Sequence, residues 1–572
     1  MEKLKYKNLM NTNYEEAKYQ IFDTLRGDLR LEDSVVYVVA LSTMAFVLKE
    51  MKNRNDMMNY LEKNIDNETT LNFLKKIEKE KYKVIKEISN RFDVETLQAI
   101  ALFTEPKRFT EAGLSSTPKG ISDLAIRLMD LKESDTILDL GSGVGSFLLQ
   151  AAYDSGSRNL YGVEINTNNV IVANLRKLIT KLPIKIIQGN IVSQEYSELS
   201  ANKVFSNYPL GMRFPELQNY LKNNQRLLKY FKKAKRTVTG DWVFGLGAYL
   251  NTSMPGKTII LMSNAGTWNK PDEELRKELI NRGIVEGVIL LPERLLTTTL
   301  IPLTMLVLSQ NNDEIRMVDA SEIFTEGRRQ NSLEPEDIER IVEAYNNDSS
   351  ISKLVAKDVI AEQEYIINPQ RYVGADLDIP NGIPLGELCK SINRGAMIRS
   401  SELDKLVTDE DTNYHYLMLQ NIQDGLIDSN LPNLTAIEEK YQKYCISDMN
   451  LIISKISPFK VAIARVKENK TILANGNLYF IELDVNKVNP VYVEVFLQSE
   501  IGMAQLNRFA KGTSMKSISI QDLKNIKIPN IPREKQDLIA EEYKNLNDEL
   551  IILQKQGDII RDKKAKLLQE VI

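Results

Sequence analysis

The stretch Thr136-Ile137-Leu138-Asp139-Leu140-Gly141-Ser142-Gly143-Val144-Gly145-Ser146-Phe147 leads from an apolar strand, through three glycines, into a helical segment. Glycine has no Cβ, so such a loop turns sharply and lets its backbone approach a ligand closely. The pattern predicts a nucleotide-type cofactor site at the end of the strand. Taken alone, it also fits a nicotinamide cofactor, or glycines that serve only the turn.

Short apolar runs alternate with amphipathic helical segments from residue 135 to residue 311. Such alternation predicts βαβ units and a largely parallel sheet. The predicted strands are 136–140, 160–165, 184–188, 203–206, 258–263, 285–291 and 304–309.

Polar residues follow the neighbouring predicted strands. Glu164 closes the second strand, where its carboxylate can accept both ribose hydroxyls, and Asn190 follows the third, where its amide can pair with an adenine edge. Upstream, Ser116-Thr117-Pro118 offers a hydroxyl that can face a methionyl carboxylate. Together these residues favour S-adenosylmethionine as the cofactor.

The composition narrows the chemistry. The chain has 572 residues, 27% of them charged, and a net charge of -4, which argues weakly against nucleic acid unless a basic face lies elsewhere. Cys389 and Cys445 form no CxxC pair and His415 is the single histidine, so a disulfide framework, a zinc cluster and histidine catalysis are not expected. No apolar run was found near the roughly 18 residues of a membrane span, and no secretory signal follows Met1, which predicts a cytoplasmic protein without a membrane segment.

The flanking regions predict a chain of several domains. Residues 1–112 repeat apolar residues at helix spacing, which predicts a helical N-terminal bundle. A polar connector is expected at 359–382, followed by an α+β domain at 383–534 with β-rich runs at 450–454, 461–466 and 477–483.

Residues 535–572 predict one long helix. Its seam steps by four and three through Ile539, Tyr543, Leu546, Leu550, Leu553, Gly557, Ile560, Lys564, Leu567 and Val571. Eight of these ten positions suit an apolar seam, and Gly557 and Lys564 do not. Such a seam predicts a coiled coil with a partner helix, with packing against its own domain as the alternative.

Over about residues 14–345 the sequence resembles a known family, the modification subunits of type I restriction-modification systems. These subunits are adenine-amino DNA methylases. The family's loop D-P-A-C-G-T-G-G-F matches at Asp139, Gly143, Gly145 and Phe147, and its T-P element matches at residues 117–118. Segments 21–27, 290–293 and 328–331 also resemble it. The resemblance implies a Rossmann-like class I methyltransferase domain at 113–358. Its implied cofactor contacts are Thr117, Pro118, Asp139, Gly141, Gly143, Gly145, Phe147, Glu164 and Asn190, the last in place of the family's usual Asp.

The catalytic loop departs from the family, which carries N-P-P-F or N-P-P-Y where this chain has Asn207-Tyr208-Pro209-Leu210. In that chemistry the target adenine is flipped out, the Asn side chain and the next carbonyl accept bonds from its 6-amino group, and the aromatic residue stacks on it. Leu210 offers no ring, and a lost stack costs about 1–3 kcal/mol, or roughly 5- to 150-fold. Tyr208 and Phe214 are the aromatic residues nearby that would have to replace it.

From Ile383 onward the chain resembles the specificity subunit of the same systems. Residues 383–388 resemble the opening of a target-recognition domain, and 511–518 and 528–532 resemble its exit into a long helix. One such domain per chain implies a homodimer that reads two half-sites in double-stranded DNA. The candidates for DNA contact, each otherwise a solvated charge, are Arg394, Arg399, Lys455, Lys460, Lys511 and Lys516, with a second basic run at Lys229, Lys232, Lys233, Lys235 and Arg236.

Two functions therefore remain open: a site-specific adenine methyltransferase, and a catalytically impaired homologue that binds DNA as an adaptor or regulator. A nicotinamide-dependent oxidoreductase explains neither residues 207–209 nor the C-terminal half. The N-terminal helical region lacks a plausible PD…ExK cluster placed on strands, and no P-loop GxxxxGK[ST] occurs in the sequence. Cleavage or translocation is therefore expected to need separate subunits.

Overall fold

A computed structural model describes residues 8–9, 12–25, 34–105, 116–214, 217–231, 239–296, 299–374, 379–512 and 515–566. The chain divides into two compact units, residues 1–374 and 375–572. The bounds predicted from the sequence for finer domains within these units stay predictions.

The first unit is built on a nine-stranded sheet. Its strands are β1 Thr136–Leu140, β2 Asn159–Glu164, β3 Ile184–Gln188, β4 Lys203–Asn207, β5 Lys257–Ser263, β6 Val285–Leu290, β7 Leu303–Leu308, β8 Glu314–Asp319 and β9 Ser352–Ala356. The seven predicted strands are confirmed to within one residue at each end, and β8 and β9 were not predicted.

The strand order is β3-β2-β1-β4-β5-β7-β6-β8-β9. The run from β3 to β5 is parallel throughout, whereas β7 lies antiparallel between β5 and β6. β8 is parallel to β6 and β9 antiparallel to β8. The prediction of a largely parallel sheet therefore holds for the half that contains the glycine loop, since parallel strands end at the same edge and bring their following loops together.

Helices surround this sheet. They are α1 Glu15–Thr24, α2 Ser34–Met51, α3 Arg54–Asn64, α4 Glu68–Arg91, α5 Val94–Phe103, α6 Lys119–Met129, α7 Ser146–Ser155, α8 Thr167–Thr180, α9 Leu217–Tyr220, α10 Gln225–Phe231, α11 Gly240–Leu250, α12 Glu273–Asn281, α13 Pro335–Asn346 and α14 Lys357–Glu362. Three of the N-terminal helices begin after an Asx cap, because Asn53, Asn67 and Asp93 each accept a bond from the backbone N–H three residues on.

The N-terminal helices share one core with α8. Ile171, Leu175 and Ile179 of α8, together with Val144 of the glycine loop, belong to the same buried cluster as the apolar residues of α2, α4 and α5. The helical layer is therefore continuous with the sheet's own packing.

Helix α2 corrects one expectation drawn from the sequence. Its 18 residues have a mean hydropathy of 1.5, long and apolar enough to cross a membrane by length and composition. In this structure 67% of that helix is buried, and it packs against α4, α5 and α8. A helix enclosed on several sides by protein has apolar residues all round, as this one does.

The start of the predicted connector belongs to the first unit. Ile360, Ile366 and Ile367 are buried, and the Ile367 N–H donates to the Thr267 carbonyl at 2.9 Å. The apolar residues spaced through this polar segment explain why it packs on the unit that ends at Gly374.

The second unit holds short strands and one long helix. Its strands are β10 Ile383–Pro384, β11 Cys389–Arg394, β12 Val407–Thr408, β13 Tyr414–Leu417, β14 Ile422–Gln423, β15 Leu426–Ile427, β16 Asn433–Leu434, β17 Cys445–Ile446, β18 Leu451–Ser454, β19 Val461–Ile463, β20 Thr471–Ala474, β21 Leu478–Leu483 and β22 Lys527–Ile528. Its helices are α15 Leu385–Leu388, α16 Ser400–Leu406, α17 Pro490–Gln498, α18 Glu500–Phe509, α19 Ile520–Lys524 and α20 Arg533–Lys566. Strands lie in each of the three predicted β-rich runs, and two of the sheets have four strands, β11-β21-β18-β19, and five strands, β12-β16-β13-β20-β17.

The predicted seam of α20 divides into two parts. Ile539 and Tyr543 pack on the core of their own unit, and the Tyr543 hydroxyl donates to Gln498 Oε1 at 2.8 Å. Further along, Leu546, Leu553 and Ile560 are 57 to 58% exposed. Leu567 and Val571 lie outside the described residues.

Candidate active site

The glycine loop joins β1 directly to α7. Gly141, Gly143 and Gly145 have φ angles of 83°, 53° and 81°, which favour glycine over any residue with a Cβ. The backbone N–H groups of Gly141 and Ser142 donate to the Val163 carbonyl at 2.9 and 3.0 Å. The loop is therefore fixed against the carboxyl end of β2.

Glu164 lies buried at that end of β2. Its Oε2 accepts from the Gly143 N–H at 2.8 Å, and its Oε1 accepts from the Asn166 N–H at 2.7 Å. A carboxylate oxygen can accept more than one hydrogen bond. Each oxygen can therefore still accept a ribose hydroxyl while the backbone holds the carboxylate in place.

Two buried acceptors beside the loop lack partners. Asp139 Oδ1 and Ser142 Oγ form no hydrogen bond within the part of the chain that the structure describes. Burial raises the pKa of Asp139 well above its usual range, and the charge of Glu164 adds to the rise. A bound ligand that carries hydrogen-bond donors would satisfy both atoms, so the residues present fit S-adenosylmethionine, which has ribose hydroxyls and an ammonium group.

Asn190 is oriented by its own turn. Its Oδ1 accepts from the backbone N–H groups of Val192 at 2.9 Å and Ser193 at 3.2 Å. Its Nδ2 is then the atom left to face a ligand. An adenine at this position would meet a donor where an Asp would present an acceptor.

Phe147 is a correction to the predicted cofactor contacts. Its side chain is buried and stacks on Phe205, with ring centroids 4.1 Å apart and an interplanar angle of 19°. The ring anchors the start of α7 on β4 in the core, so its side chain is not available to a ligand. Pro118 directly precedes α6 and lines a cavity of about 300 Å³.

Asn207 ends β4 beside the glycine loop. A Cβ placed on Gly141 would lie 3.7 Å from the Asn207 carbonyl oxygen, which shows how closely the two elements approach. Asn207 Nδ2 donates to Thr117 Oγ1 at 3.1 Å. This contact brings two predicted site residues together and leaves Asn207 Oδ1 as an acceptor.

The aromatic side chains near the loop are committed to the core. Tyr208 is buried, stacks on Phe244 at 4.4 Å, and donates through its hydroxyl to the Asp241 carbonyl at 3.0 Å. Phe214 is also buried and meets Phe244 edge-on at 5.7 Å. Burial raises the pKa of both Tyr208 and Asp241. Because both rings are buried in the core, neither replaces the missing aromatic residue at the site. Leu210 itself is half-buried and packs on two core clusters.

Arg176 on α8 is a residue that the sequence analysis missed. It is 1% exposed, and its guanidinium donates to the carbonyls of Val144 at 3.2 Å and Thr104 at 2.9 Å. The available signal was weak, because Arg176 stands next to Lys177 in the largely apolar stretch 170–179. Among the described residues there is no group of three or more His, Cys, Asp or Glu side chains that could hold a metal ion.

The six basic candidates of the second unit separate into different environments. Lys460 donates to the carbonyls of Leu419 and Ile422, and Lys511 pairs with Asp522 at 3.0 Å, so both ammonium groups serve the fold. Their roles as DNA contacts stay predictions, and Arg394 likewise donates to a carbonyl of its own unit, that of Gly476, at 2.7 Å. Arg399 is exposed at the start of α16.

Arg394 lies close enough to Lys455 for their charges to interact, and the backbone of Lys516 lies beside the residues that follow Lys455. Partial burial lowers the pKa of Lys455, and the charge of Arg394 lowers it further. The Lys516 carbonyl accepts from the Ser457 N–H at 2.9 Å, which holds this residue beside the end of β18. In the other basic run, Lys229 is exposed on α10, and residues 232–238 lie outside the described residues.

The strand order with an antiparallel β7 between β5 and β6, and a glycine loop after β1, define the class I methyltransferase fold of the S-adenosylmethionine-dependent type. Within that class, residues 100–378 match the model of the N-6 DNA Methylase family.

The chain is also similar to proteins described as methylase subunits of type I restriction enzymes. The methylase subunit of the type I restriction enzyme MpnII from Mycoplasma pneumoniae is 27% identical over 46% of this chain and 53% of that protein. The MjaVIII methylase subunit of Methanocaldococcus jannaschii is 25% identical over 49% and 52%. The solved structure of a type I restriction-modification methyltransferase subunit from Streptococcus thermophilus aligns over 64% of this chain and 99% of the neighbour's own chain. Its TM-score is 0.47 and its sequence identity 18%. The chain spans about half the length of the curated relatives it matches.

Proposed function

We propose that the chain is an S-adenosylmethionine-dependent methyltransferase that modifies the 6-amino group of adenine at a specific sequence in double-stranded DNA. The observation that carries the proposal is the position of Asn207. It ends β4 against Gly141, and its amide is oriented by Thr117 so that Oδ1 remains an acceptor. The match of residues 100–378 to the N-6 DNA Methylase family model supports the same chemistry.

The residues around the glycine loop would hold the cofactor. Glu164 would accept the ribose hydroxyls, and Asp139 and Ser142 supply buried acceptors that lack partners among the described residues. When bound, S-adenosylmethionine supplies an electrophilic methyl group.

The protein's own task is to orient the target amine. Asn207 Oδ1 and the Tyr208 carbonyl would each accept one N–H of a flipped adenine, which directs the nitrogen lone pair away from both acceptors. Tyr208 has its side chain anchored on Asp241 and Phe244, so its backbone is held in place. A fixed acceptor pair acts by positioning, which requires no covalent intermediate.

A second candidate function rests on Leu210. It lacks a ring to stack on the base, and the structure directs Tyr208 and Phe214 into the core. An impaired homologue that still binds the cofactor and DNA would act as a site-specific adaptor or regulator. Activity decides between the two candidates, because both predict binding.

The second unit would read the DNA. We assign the contact surface to Arg394 and Lys455, whose charges interact, and to Lys516, whose backbone is bonded to Ser457 just after Lys455. Arg399 is added as an exposed neighbour in sequence. Replacing Lys455 by Ala should weaken binding and reduce the salt slope by about 1. Lys390→Ala is the matched control, because Lys390 already pairs with Glu482 at 3.2 Å.

The exposed part of α20 would pair with the same helix of a second copy. Leu546 and Leu553 are more than half exposed, and burying an aliphatic side chain contributes about 1.5–3 kcal/mol. Replacing both by Asp should therefore give monomers in light scattering. Leu538→Asp, at an exposed position off the seam, should leave the dimer intact. A monomeric wild type with and without DNA would refute this arrangement.

The proposed site of action is the cytoplasm, and a separate restriction subunit would supply any cleavage. Mass spectrometry of N6-methyladenine in DNA from cells with and without the gene tests the main proposal. Asn207→Ala should abolish the mark and leave cofactor binding unchanged. Asn64→Ala, an exposed Asn on α3, should change neither. Intact methylation in the Asn207 variant would remove Asn207 from the mechanism.

A further inference from the structure

We propose that Glu105 is a positioning residue that holds together two elements of the cofactor site, the start of α7 and the Ser116-Thr117 segment. The inference rests on the proposed function. It concerns a side chain that neither the glycine motif nor the catalytic loop contains.

The two oxygens of Glu105 each hold one of these elements. Oε1 accepts from the hydroxyl of Ser146 at 3.1 Å, and Oε2 accepts from the hydroxyl of Ser116 at 2.9 Å. Ser146 is the first residue of α7, directly after Gly145, and Ser116 directly precedes Thr117. One carboxylate therefore sets the separation between the glycine loop and the segment that contacts Asn207.

The backbone that carries Glu105 is itself fixed to the loop. Arg176 donates to the carbonyl of Thr104 at 2.9 Å, to the carbonyl of Val144 at 3.2 Å and to the hydroxyl of Ser146 at 3.1 Å. Its guanidinium joins the end of α5 to both ends of the turn into α7. The backbone next to Glu105 is thus held in place, so its carboxylate can move only by rotation of its own side chain.

The contact continues toward the catalytic residue. Thr117 Oγ1 accepts from Asn207 Nδ2 at 3.1 Å, and the peptide bond from Ser116 fixes where that hydroxyl lies. Loss of the Glu105 contacts would free the Ser116 end of this segment. Both the cofactor cleft and the orientation of Asn207 would then be held less tightly.

The role of Glu105 can be separated from stability because its side chain is exposed. Its removal leaves two hydroxyls that water can satisfy, and no buried polar group loses its partner. Arg176 is unsuitable for the same test, since its removal would leave buried carbonyl groups without a hydrogen-bond donor.

The test is calorimetric titration of the full chain with S-adenosylmethionine, with thermal melting of each variant. Glu105→Ala should weaken cofactor binding about tenfold, the scale of one or two lost charge-assisted bonds, without lowering the melting temperature. Glu105→Gln should bind within about threefold of wild type, because an amide can accept from one serine hydroxyl and donate to the other. The matched control is Glu95→Ala, an exposed glutamate on α5, which should bind as wild type.

The outcomes distinguish this inference from the proposed function. If wild type binds no S-adenosylmethionine, the proposed function fails and the inference fails with it. If wild type binds and Glu105→Ala binds equally well, only the inference is overturned. If Glu105→Gln is as weak as Glu105→Ala, the charge acts on the cofactor directly and the positioning role is wrong.

Discussion

Replacing Leu210 by Phe tests whether the catalytic loop lacks only a stacking surface. A base–aromatic stack contributes about 1–3 kcal/mol. Against this, a larger side chain in a packed position costs about 1–3 kcal/mol. Leu210 is only half-buried and lies between exposed Pro209 and Gly211, so the loop can adjust and the cost should be near the lower limit. We expect a net gain of about 0–2 kcal/mol, which is up to about 30-fold in rate.

The assay is single-turnover methyl transfer to a DNA library that covers all short sites. Leu210→Met is the matched control, because it keeps the volume without adding a ring, and it should change the rate by less than about threefold. Cofactor affinity should be the same in all three proteins. If Leu210→Phe is no faster than Leu210→Met while wild type is active, the missing ring does not limit the reaction. If none transfers methyl groups although cofactor and DNA bind, the adaptor function takes the enzyme's place.

Three further predictions concern buried polar groups. Asp139→Asn should weaken S-adenosylmethionine binding in calorimetry. It should also raise the melting temperature of the ligand-free protein by about 2 °C, because it removes a buried carboxyl that resists ionisation. A lower melting temperature would contradict this. Burial raises the pKa of Glu494 to about 7, so ionising it penalises folding as pH rises from about 4.5 to 7. Glu494→Gln should therefore stabilise the second unit by roughly 3 kcal/mol at pH 8 and not at pH 4 in scanning calorimetry. An equal gain at both pH values would contradict the raised pKa. Tyr208→Phe should lower the free energy of unfolding by about 1 kcal/mol, because the bond to Asp241 is lost. Urea unfolding followed by tryptophan fluorescence measures this, and an unchanged midpoint would show that the bond adds nothing.

The central strands were predictable because strands covered on both faces appear as continuous apolar runs. β1 and β4 to β7 are of this kind and were located to within one residue. β8 and β9 lie toward one side of the sheet and contain charged residues such as Glu314 and Lys353, which broke the apolar run. Their pairing comes from the neighbouring strand, which no local pattern reveals.

The polar residues of the candidate site were predictable by type and place. Glu164 and Asn207 follow strands whose carboxyl ends meet at one edge, and the topology alone brings them together. The contact between Asn207 and Thr117 spans 90 residues and emerges only in three dimensions. Aromatic residues were harder, since Phe147 and Tyr208 suit either a cleft or a core, and packing directs both into the core.

Charge and periodicity in the sequence identify candidate DNA-contact residues and a candidate pairing helix, but they do not show what each one contacts. Lys460 and Lys511 are as basic in the sequence as Lys455, yet they bind carbonyls or a carboxylate of their own unit. The seam of α20 likewise predicts a partner without saying which one. Its first turns pack on their own unit and its later turns are exposed, so each interpretation describes one part of the helix.

The core shared by α8 and the N-terminal helices determines where this protein can be cut. A fragment that begins at residue 113 would present Ile171, Leu175 and Ile179 to water, at a cost of about 1.5–3 kcal/mol for each aliphatic side chain. Such a fragment should aggregate on expression even though it contains the whole sheet. The helical layer is therefore an inseparable part of the sheet's scaffold, and domain exchange, by recombination or by design, has its natural junction after residue 374.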